Sequence, residues 1–487
     1  MAYLQIQNLK EQLRLQRIKK YGPASEKLSS LQLELLEGEP GVSRAEVEAE
    51  SQRGPVPEPP RTKPRRNGRP HPGRQQLPAD LPRVEKVIAC TPEQCTCAAC
   101  GKPTAVIGYD QSEQLDVEPA HYFVLVTKRE KRACPWCDQG GVAAAPLPAR
   151  IIEKSLVSDR VVIDTVVSKY CDHLPLYRQS AILERETELE ISRATLDGWV
   201  MRVGELLIPM SEAMRRELLG RTYIQADETP VDVQMHDRRG HNHQAYLWQY
   251  STPAGLVVFD FQLGRGRDGP RQFLGPFEGL LQTDGYAAYN HVGGANLVHA
   301  GCWTHARRGF VDAVKLHPGD QAAVGIVERI DDLFAIDAEA CARNLDIAAR
   351  NALRQERARS LVEVIRSQVE SARAAVLPAS ALCKAAKYTL TFWKRLTHFL
   401  EYPELELSTN LTENSMRGVA LGRKNWIHIG SPQAGPRVAA ILSVAESCRR
   451  QGIPIRQYLS DTLPGLANLS IHRLCELTPA AWAAARR

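Results

Sequence analysis

The sequence predicts a multidomain α/β protein, and three observations support this fold class. The 487 residues allow about three domains. Residues 221–303 alternate between apolar and polar side chains with a period of two, which is typical of strands, whereas most of the flanking chain has helical spacing. Six of the 12 cysteines lie between residues 90 and 137, which indicates a metal-binding module rather than disulfides.

Composition excludes several classes of protein. Hydrophobic residues make up 43% of the chain and charged residues 24%, which is ordinary for a globular protein and excludes a mainly disordered or fibrous chain. No run of about 18 uncharged apolar residues occurs, so we expect no transmembrane helix. The first residues mix Leu with charged side chains, so we expect no signal peptide and a cytoplasmic location.

Two segments precede the cysteines. Residues 1–37 carry Leu and Ile at helical spacings around a break at Gly22 and Pro23. This pattern predicts a helical leader that packs on its own chain or forms a short zipper with a second copy. Residues 38–82 are a basic linker rich in Pro and Gly.

A basic segment of this linker is a candidate DNA contact. Residues 61–74 hold six Arg or Lys and no acid, which equals the net charge of +6 of the whole chain. Arg65, Arg66 and Arg69 lie in this segment, and Arg69 is flanked as in an AT-hook, whose arginine enters a narrow minor groove. The alternative is a linker whose charges only keep the chain in solution.

Residues 83–150 form the predicted zinc-binding module. Two C-x-x-C pairs supply four thiolates: Cys97, Cys100, Cys134 and Cys137. Four thiolates suit a structural, tetrahedral Zn²⁺, and the β-rich stretch between the pairs favours a zinc-ribbon-like fold. A set of free thiols is the alternative, and Cys95 or Cys90 could replace one of the ligands.

Residues 151–220 are predicted to form three helices. The second begins at Pro175, and Ser192 caps the third. Small, polar and basic side chains open the third helix, as in a helix-turn-helix, where this end meets base edges. Arg193 is therefore a candidate DNA contact in a helix-turn-helix-like region. An ordinary layer of packed helices is the alternative.

The alternating block 221–303 predicts a mixed sheet of the ribonuclease-H type. It holds five strand candidates, with a helix at 269–275 before the fourth. In such a sheet the first and fourth strands lie side by side. Residues 304–402 are then a large helical insertion, residues 403–430 complete the catalytic core with a helix and a short final strand, and residues 431–487 form a helical tail.

Carboxylates at strand ends are the candidate catalytic groups. Asp227 follows the first strand, Asp284 follows the fourth, and Glu413 lies on a helix after the insertion. Three carboxylates can hold two Mg²⁺ (or Mn²⁺) ions, which activate the attacking oxygen and stabilise the leaving oxygen of a phosphoryl transfer. Spacing alone leaves three acidic neighbours as alternatives: Glu228, Asp232 and Asp260.

A second basic zone follows Glu413. Residues 414–456 hold seven Arg or Lys against one acid, which favours a DNA-facing surface over a merely solvated one. Arg423, Lys424 and Trp426 combine two cations with a ring that can stack on a base.

Cys302 and His305 have the spacing of metal ligands. Because only two ligands are visible there, we favour a strand end followed by the start of a helix, with His305 near the site. His241 and His243 lie in a predicted hairpin loop and are also interpreted as structural.

Several blocks of the sequence resemble one family. The main ones are ADETPV (226–231), LQTDGYAAY (281–289), CWTHARRGF (302–310) and TNLTENSMRGVALGRKNW (409–426). They are similar to the signature blocks of insertion sequence 66 family transposases, which are DDE enzymes of bacterial mobile elements. Matching segments at 19–28, 77–85 and 167–179 extend the resemblance over nearly the whole chain. Thr409, Gly418 and the short leader depart from the family pattern.

The resemblance implies a function. Asp227, Asp284 and Glu413 would form the DDE triad, which cleaves the ends of the element and joins the freed 3′-hydroxyl to target DNA. The N-terminal half, with its zinc module, would recognise double-stranded DNA. The partners would then be DNA, further copies of the chain on that DNA and companion proteins of the element, in a bacterial cytoplasm and at the nucleoid.

Two other functions remain open from the sequence. One is a zinc-containing DNA-binding regulator with a decayed catalytic domain, which would bind ends without nicking or joining them. The other is a structure-specific nuclease of the same fold, which would cut without joining.

Overall fold

The computed structural model describes residues 122–128, 130–133, 142–235, 240–253, 255–426 and 428–486. The predicted leader, the predicted basic linker and the four predicted zinc-ligating cysteines lie outside these residues. No helix in the described part of the chain is both long and apolar enough to cross a membrane. Next to the second cysteine pair, β1 (Lys131–Ala133) and β2 (Val142–Ala144) form a short antiparallel pair.

Three helices precede the main sheet, as predicted. They are α1 (Asp159–Tyr170), α2 (Leu176–Thr187) and α3 (Arg193–Leu219). Pro175 stands just before α2, and the Ser192 hydroxyl caps α3 by accepting a hydrogen bond from the Thr195 N–H at 3.2 Å. α3 is longer than predicted because it continues through Pro209 and buries an apolar stripe: Leu207, Met210, Met214 and Leu218.

A five-stranded mixed sheet follows. Its strands are β3 (Tyr223–Val233), β4 (His243–Ser251), β5 (Val257–Gln262), β6 (Leu280–Gln282) and β7 (Val298–Ala300), with α4 (Asp268–Leu274) before the fourth. They lie in the order β5–β4–β3–β6–β7. β4 is antiparallel to its two neighbours, whereas β6 and β7 run parallel to β3. The five predicted strands are confirmed, and the first and fourth are adjacent.

A helical segment, the predicted insertion, follows β7. Its helices are α5 (Trp303–Leu316), α6 (Gln321–Ala342), α7 (Ile347–Leu353), α8 (Arg359–Ala375), α9 (Ala381–Thr391) and α10 (Trp393–Thr397). A single π-helical turn, Arg354–Ala358, joins α7 to α8. The apolar faces of these helices form one buried cluster with Leu280 of β6 and Ala300 of β7. The insertion therefore packs on the β7 side of the sheet.

The chain returns to the sheet through α11 (Asn410–Trp426). The short strand expected near residue 430 is wrong, because Ile429 forms only a single bridge, with Val233. Buried Met416 and Val419 continue the helical spacing, so α11 runs to Trp426.

Helix α12 (Ala434–Arg450) covers the other edge of the sheet, where β5 has no strand beyond it. The Phe259 N–H donates to the Ser443 hydroxyl at 2.8 Å, and the Val257 N–H donates to the Ser447 hydroxyl at 2.9 Å. These bonds satisfy backbone groups that an edge strand would otherwise expose. The tail continues with α13 (Ile455–Thr462) and α14 (Pro479–Ala484).

Candidate active site

Asp284 follows β6 as predicted. Asp227 lies within β3 and not after the first strand, because β3 continues past it in pairing with β4. The last paired residues of β3 and β6 are Gln225 and Gln282, and each aspartate follows its glutamine by two residues. Because side chains alternate along a strand, Asp227 shares a face of the sheet with Gln225. Asp284 lies in the turn after β6, where its Oδ1 accepts a hydrogen bond from the Tyr286 N–H at 2.8 Å. The sheet thus brings both aspartates to one end.

Burial and neighbouring negative charge act on Asp227. Burial raises the pKa of its carboxyl to about 7, and the charges of Glu228 and Asp284 also act upward. A hydrogen bond from the Glu228 N–H to Asp227 Oδ1, 2.9 Å long, acts in the opposite direction. A buried carboxylate among like charges favours a bound proton or a bound cation.

His305 interacts electrostatically with all three predicted catalytic carboxylates. It lies in the first turn of α5, with Nε2 3.6 Å from Glu413 Oε1. Burial lowers the pKa of His305, but Cys302 and the charges of Asp284 and Glu413 outweigh burial and raise it. The charge of His305 in turn lowers the pKa of Asp227. His305 therefore contacts Glu413 and interacts electrostatically with both aspartates.

Glu413 stands in the first turn of α11. Its N–H donates to the Thr409 carbonyl at 3.0 Å, and its Oε2 lies 3.4 Å from Arg308 Nη2. Its Oε1 is buried and makes no hydrogen bond to the described residues. A buried carboxylate oxygen without a donor is an atom that a cation can satisfy.

Buried polar side chains join the elements that carry the three acids. Gln225 Nε2 donates to Gln282 Oε1 at 2.9 Å, and the hydroxyl of Thr412, next to Glu413, donates to Gln225 Oε1 at 3.1 Å. The Tyr223 hydroxyl donates to the same oxygen of Gln282. Burial shields these bonds from water, so they fix β3, β6 and α11 relative to one another.

Cys302 stands just before α5, after β7, as the sequence indicated. Its buried sulfur accepts hydrogen bonds from the Thr409 N–H and hydroxyl, both at 3.4 Å. Burial raises the pKa of the thiol, but His305 and the Thr409 donors outweigh burial and lower it. The thiol therefore ties the start of α5 to the segment that leads into α11.

Sequence reasoning missed a cluster around Glu228. The Glu228 side chain is 2% exposed, and its carboxylate accepts from Arg265 Nη2 at 2.7 Å and from the Tyr289 hydroxyl at 2.9 Å. The Arg265 guanidinium also lies 4.0 Å from the ring centroid of Tyr286. The cluster joins the residue after Asp227 to the tyrosines after Asp284. The tyrosines of the DGYAAY block were the only sign of this cluster in the sequence. No sequence pattern indicated that they lie beside a distant arginine.

The described DNA-binding candidates have different surroundings. Arg193 and Lys424 are exposed, whereas Arg423 donates to the Pro230 carbonyl. Trp426 is half-buried, with its ring centroid 6.3 Å from that of Tyr170. Packing against α1 leaves less of the Trp426 ring free for a base. Arg65, Arg66 and Arg69 lie outside the described residues.

Much of the positive charge after Glu413 is used within the protein. Three of its seven cations form ion pairs with acids of the same chain: Arg449, Arg450 and Arg456. Arg417 and Lys424 are exposed on α11. They are seven residues apart, which places them on one face of the helix. The surface charge beside Glu413 is therefore smaller than the sequence count suggests.

Residues 154–437 match the family model described as Transposase IS66 family, which spans more than half of the chain. The chain belongs to the IS66 transposase family. Residues 94–138 of this transposase match the zinc-finger binding domain of transposase IS66. Residues 8–85 match a model described as Transposase C of IS166 homeodomain. The IS66 matches confirm the family resemblance of the sequence blocks and support DNA binding.

Similar proteins occur in Sinorhizobium fredii. The uncharacterized protein y4qI is 33% identical over 83% of this chain and 76% of its own length. The uncharacterized protein y4jD is 34% identical over 84% of this chain and 82% of its own length. The uncharacterized protein y4hP is 27% identical over 98% of this chain and 88% of its own length. They extend the similarity of this IS66-family transposase over most of its length.

Two kinds of metal site concern this IS66-family transposase. The zinc-finger match includes the four predicted cysteine ligands and supports zinc binding. In the described part of the chain, no three His, Cys, Asp or Glu side chains are grouped so that they could hold a metal ion. The acids around His305 nevertheless offer oxygen donors, which hard divalent cations prefer, and one of them, Glu413, has a free buried oxygen.

Proposed function

We propose that this chain is an active DNA transposase. In this proposal it cleaves phosphodiester bonds at the ends of a mobile element and joins the freed 3′-hydroxyl to target DNA. The observation that carries the proposal is the 3.6 Å contact of His305 with Glu413, and the electrostatic interaction of His305 with Asp227 and Asp284 supports it. The family match over 154–437 includes all three acids and supports it.

The proposed catalytic core is ribonuclease-H-like. An antiparallel set of three strands followed by two parallel strands, with the first and fourth adjacent, supports that assignment. We assign residues 221–303 and 403–430 to this core and 304–402 to the insertion between them. Each predicted catalytic acid then lies on a different element, and the buried amides beneath them hold those elements together.

The three carboxylates are the proposed ligands of divalent cations, Mg²⁺ or Mn²⁺. Such ions, when bound, activate an attacking water or hydroxyl and neutralise charge on the leaving oxygen. Asp227 and Asp284 provide fixed positions at the end of the sheet. Glu413 completes the set when its side chain turns away from Arg308. His305 offsets part of the negative charge of the three acids.

DNA is proposed to approach along α11. Arg417 and Lys424 lie on one exposed face of this helix and can each contact a phosphate, while Arg423 and Trp426 belong to its C-terminal turn. The N-terminal half is proposed to recognise the element ends. The contacts would come from Arg193 and from three arginines of the linker: Arg65, Arg66 and Arg69. The zinc module, with Cys97, Cys100, Cys134 and Cys137, stabilises that half.

The working form is proposed to be a homo-oligomer on double-stranded DNA. A mobile element has two ends, and processing both at one target requires two catalytic sites side by side. Companion proteins of the same element are proposed as further partners. The proposed location is the bacterial cytoplasm, with the protein at the nucleoid when it is bound to DNA.

The decisive experiment compares two Asp-to-Asn variants on one strand. Asp227→Asn removes a proposed ligand, whereas Asp232→Asn changes an exposed residue of β3 by the same chemistry. On a duplex that carries the inverted repeat flanking the gene, with Mg²⁺, we expect Asp227→Asn to lose cleavage by on the order of 10³-fold and to keep its DNA affinity. Asp232→Asn should remain as active as the parent chain.

The same assay separates the alternative functions. Strand transfer by Asp227→Asn at the parent rate would contradict the proposal. Binding of the ends without nicking or joining, in Mg²⁺ and in Mn²⁺, would identify a DNA-binding regulator. Nicking without joining to a target plasmid would identify a nuclease.

A further inference from the structure

A buried charge cluster lies inside the helical insertion. Arg354, in the π-helical turn, has a side chain 1% exposed and donates to both oxygens of Asp337, each at 2.8 Å. Arg350 forms ion pairs with Asp337 at 2.7 Å and with Glu406 at 2.9 Å. Two cations thus face two acids, and each buried ion has a partner.

Arg354 also reaches beyond the insertion. Its Nη1 donates to the Pro403 carbonyl at 3.1 Å, and its Nη2 donates to the Leu405 carbonyl at 2.9 Å. Both carbonyls belong to residues 403–409, the segment between the insertion and α11, which we call the strap. One guanidinium therefore bonds an insertion helix and the strap at once.

The sheet holds the strap from its other side. Gln282 Nε2 donates to the Glu406 carbonyl at 2.7 Å, and Gln225 Nε2 donates to the Ser408 carbonyl at 3.1 Å. Each of these two glutamines lies two residues before a proposed catalytic aspartate. The strap is therefore bonded between the insertion and the end of the sheet.

The strap leads directly to Glu413. Its last residue, Thr409, donates to Cys302 Sγ at 3.4 Å, and the Thr409 carbonyl accepts from the Glu413 N–H at 3.0 Å. The first turn of α11 thus begins from a fixed point. A shift of the strap would move Glu413 relative to the two aspartates.

We propose that Arg354 is a positioning residue, through which the insertion fixes the strap and thereby the place of Glu413. The inference rests on the proposed function, since it takes Glu413 as one of the catalytic carboxylates. It assigns the insertion a part in assembling the site, in addition to forming a core of its own.

The main test is the double variant Arg354→Met with Asp337→Leu. It removes one cation and one acid together, so Arg350 keeps Glu406 as its partner and no buried ion is left unpaired. Such replacements by apolar residues of similar size are often tolerated. The strap carbonyls, however, lose their donors.

Three measurements define the expected result. Cleavage of a saturating element-end duplex should fall by about 10- to 100-fold, since a displacement of about 1 Å can cost that much. DNA affinity and the thermal unfolding midpoint should stay near those of the parent chain. Amide hydrogen exchange in residues 403–409 should become at least about 10-fold faster.

Two further variants keep the test interpretable. Arg343→Met removes an exposed insertion arginine that pairs with Glu339, and it should change none of the three measurements. Arg354→Lys retains the charge beside Asp337 but loses the forked donors. It should give a smaller loss of cleavage and, if the double variant does not fold, takes its place.

A folded double variant with parental cleavage and parental exchange in the strap would overturn the inference. A fall in DNA affinity as large as the fall in rate would also overturn it, because the insertion would then act on DNA. Failure of the proposed function is a separate result, namely full cleavage by Asp227→Asn. Amide hydrogen exchange in the strap shows whether Arg354 positions it, whether or not the proposed function is correct.

Discussion

At the residue scale, the acids of the site differ in what satisfies their oxygens. Glu413 has a buried oxygen without a donor in the described chain, whereas the Glu228 carboxylate accepts from an arginine and a tyrosine. Asp260 accepts from the Gln262 amide, and Asp232 is exposed. A carboxylate whose oxygens already accept hydrogen bonds from the protein is better suited to anchoring the fold than to binding a metal ion. This distinction separates Glu228 from Glu413.

The anchoring role of Glu228 leads to a prediction. Glu228→Gln removes the ion pair with Arg265 but keeps an acceptor for the Tyr289 hydroxyl. We expect a loss of about 1–3 kcal/mol in the free energy of unfolding, because hydrogen bonds to a charged group are lost. We also expect slower cleavage of element-end DNA, because the turn after Asp284 loosens. Chemical denaturation and the cleavage assay measure the two effects.

A matched control is the surface pair of Arg202 and Glu205 on α3. Glu205→Gln should change stability by less than about 1 kcal/mol, as is usual for exposed ion pairs, and should leave cleavage unchanged. If Glu228→Gln behaved like this control in both assays, Glu228 would not anchor the site.

At the element scale, the contact between α12 and β5 depends on a residue without a side chain. Gly435 lies in the first turn of α12, and a Cβ added there would clash with the ring of Phe261 on β5. Gly435→Ala therefore requires α12 to move from the edge of the sheet. We expect a loss of about 1–3 kcal/mol, which is typical of overpacking, measured as the free energy of unfolding in urea.

Gly198 of α3 is the matched control for this prediction. A Cβ added at Gly198 meets nothing within 4 Å, so Gly198→Ala should stabilise the chain by about 0.5–1 kcal/mol through higher helix propensity. The two substitutions should therefore change the free energy of unfolding in opposite directions. A stabilising Gly435→Ala would show that α12 is free to shift on β5.

At the scale of the whole molecule, pH should act on stability through the insertion. Burial raises the pKa of Asp337, but the hydrogen bonds from Arg354 and Arg350 outweigh burial and lower it below its usual value. A group whose pKa is lower in the folded state stabilises the fold above its unfolded pKa, about 4. This contribution is lost as pH falls below about 4, through the folded pKa.

Asp337→Asn tests this linkage. At pH 7 it should destabilise the chain by about 3–5 kcal/mol, because buried arginines lose their counter-charge. The difference between variant and parent should shrink as pH falls below about 4. Asp332→Asn, at an exposed pair with Arg329, should show little effect at either pH. If the difference in the free energy of unfolding between Asp337→Asn and the parent chain stayed constant with pH, it would contradict the lowered pKa of Asp337.

The sequence predicted most helices and strands of the described chain because its apolar residues recur at regular spacings. The alternation read over residues 222–226 and the helical spacing of α1 to α3 need no tertiary information. The placement of Asp227 and Asp284 followed from strand order. Contacts between distant residues could not be predicted, since no local pattern pairs Glu228 with Arg265 or Arg354 with the strap. The charge count after Glu413 misled because Arg449, Arg450 and Arg456 are paired within the fold.

The long separation between Asp284 and Glu413 has a consequence for synthesis of the protein. The ribosome releases the two aspartates first, then the entire insertion, and only then the strap and α11. A nascent chain with a completed sheet therefore still lacks the third carboxylate. Because the strap also bonds to Arg354, its full set of contacts forms only once the insertion has folded. The order of elements along the chain thus delays assembly of the proposed DNA-cutting site until most of the domain has been made.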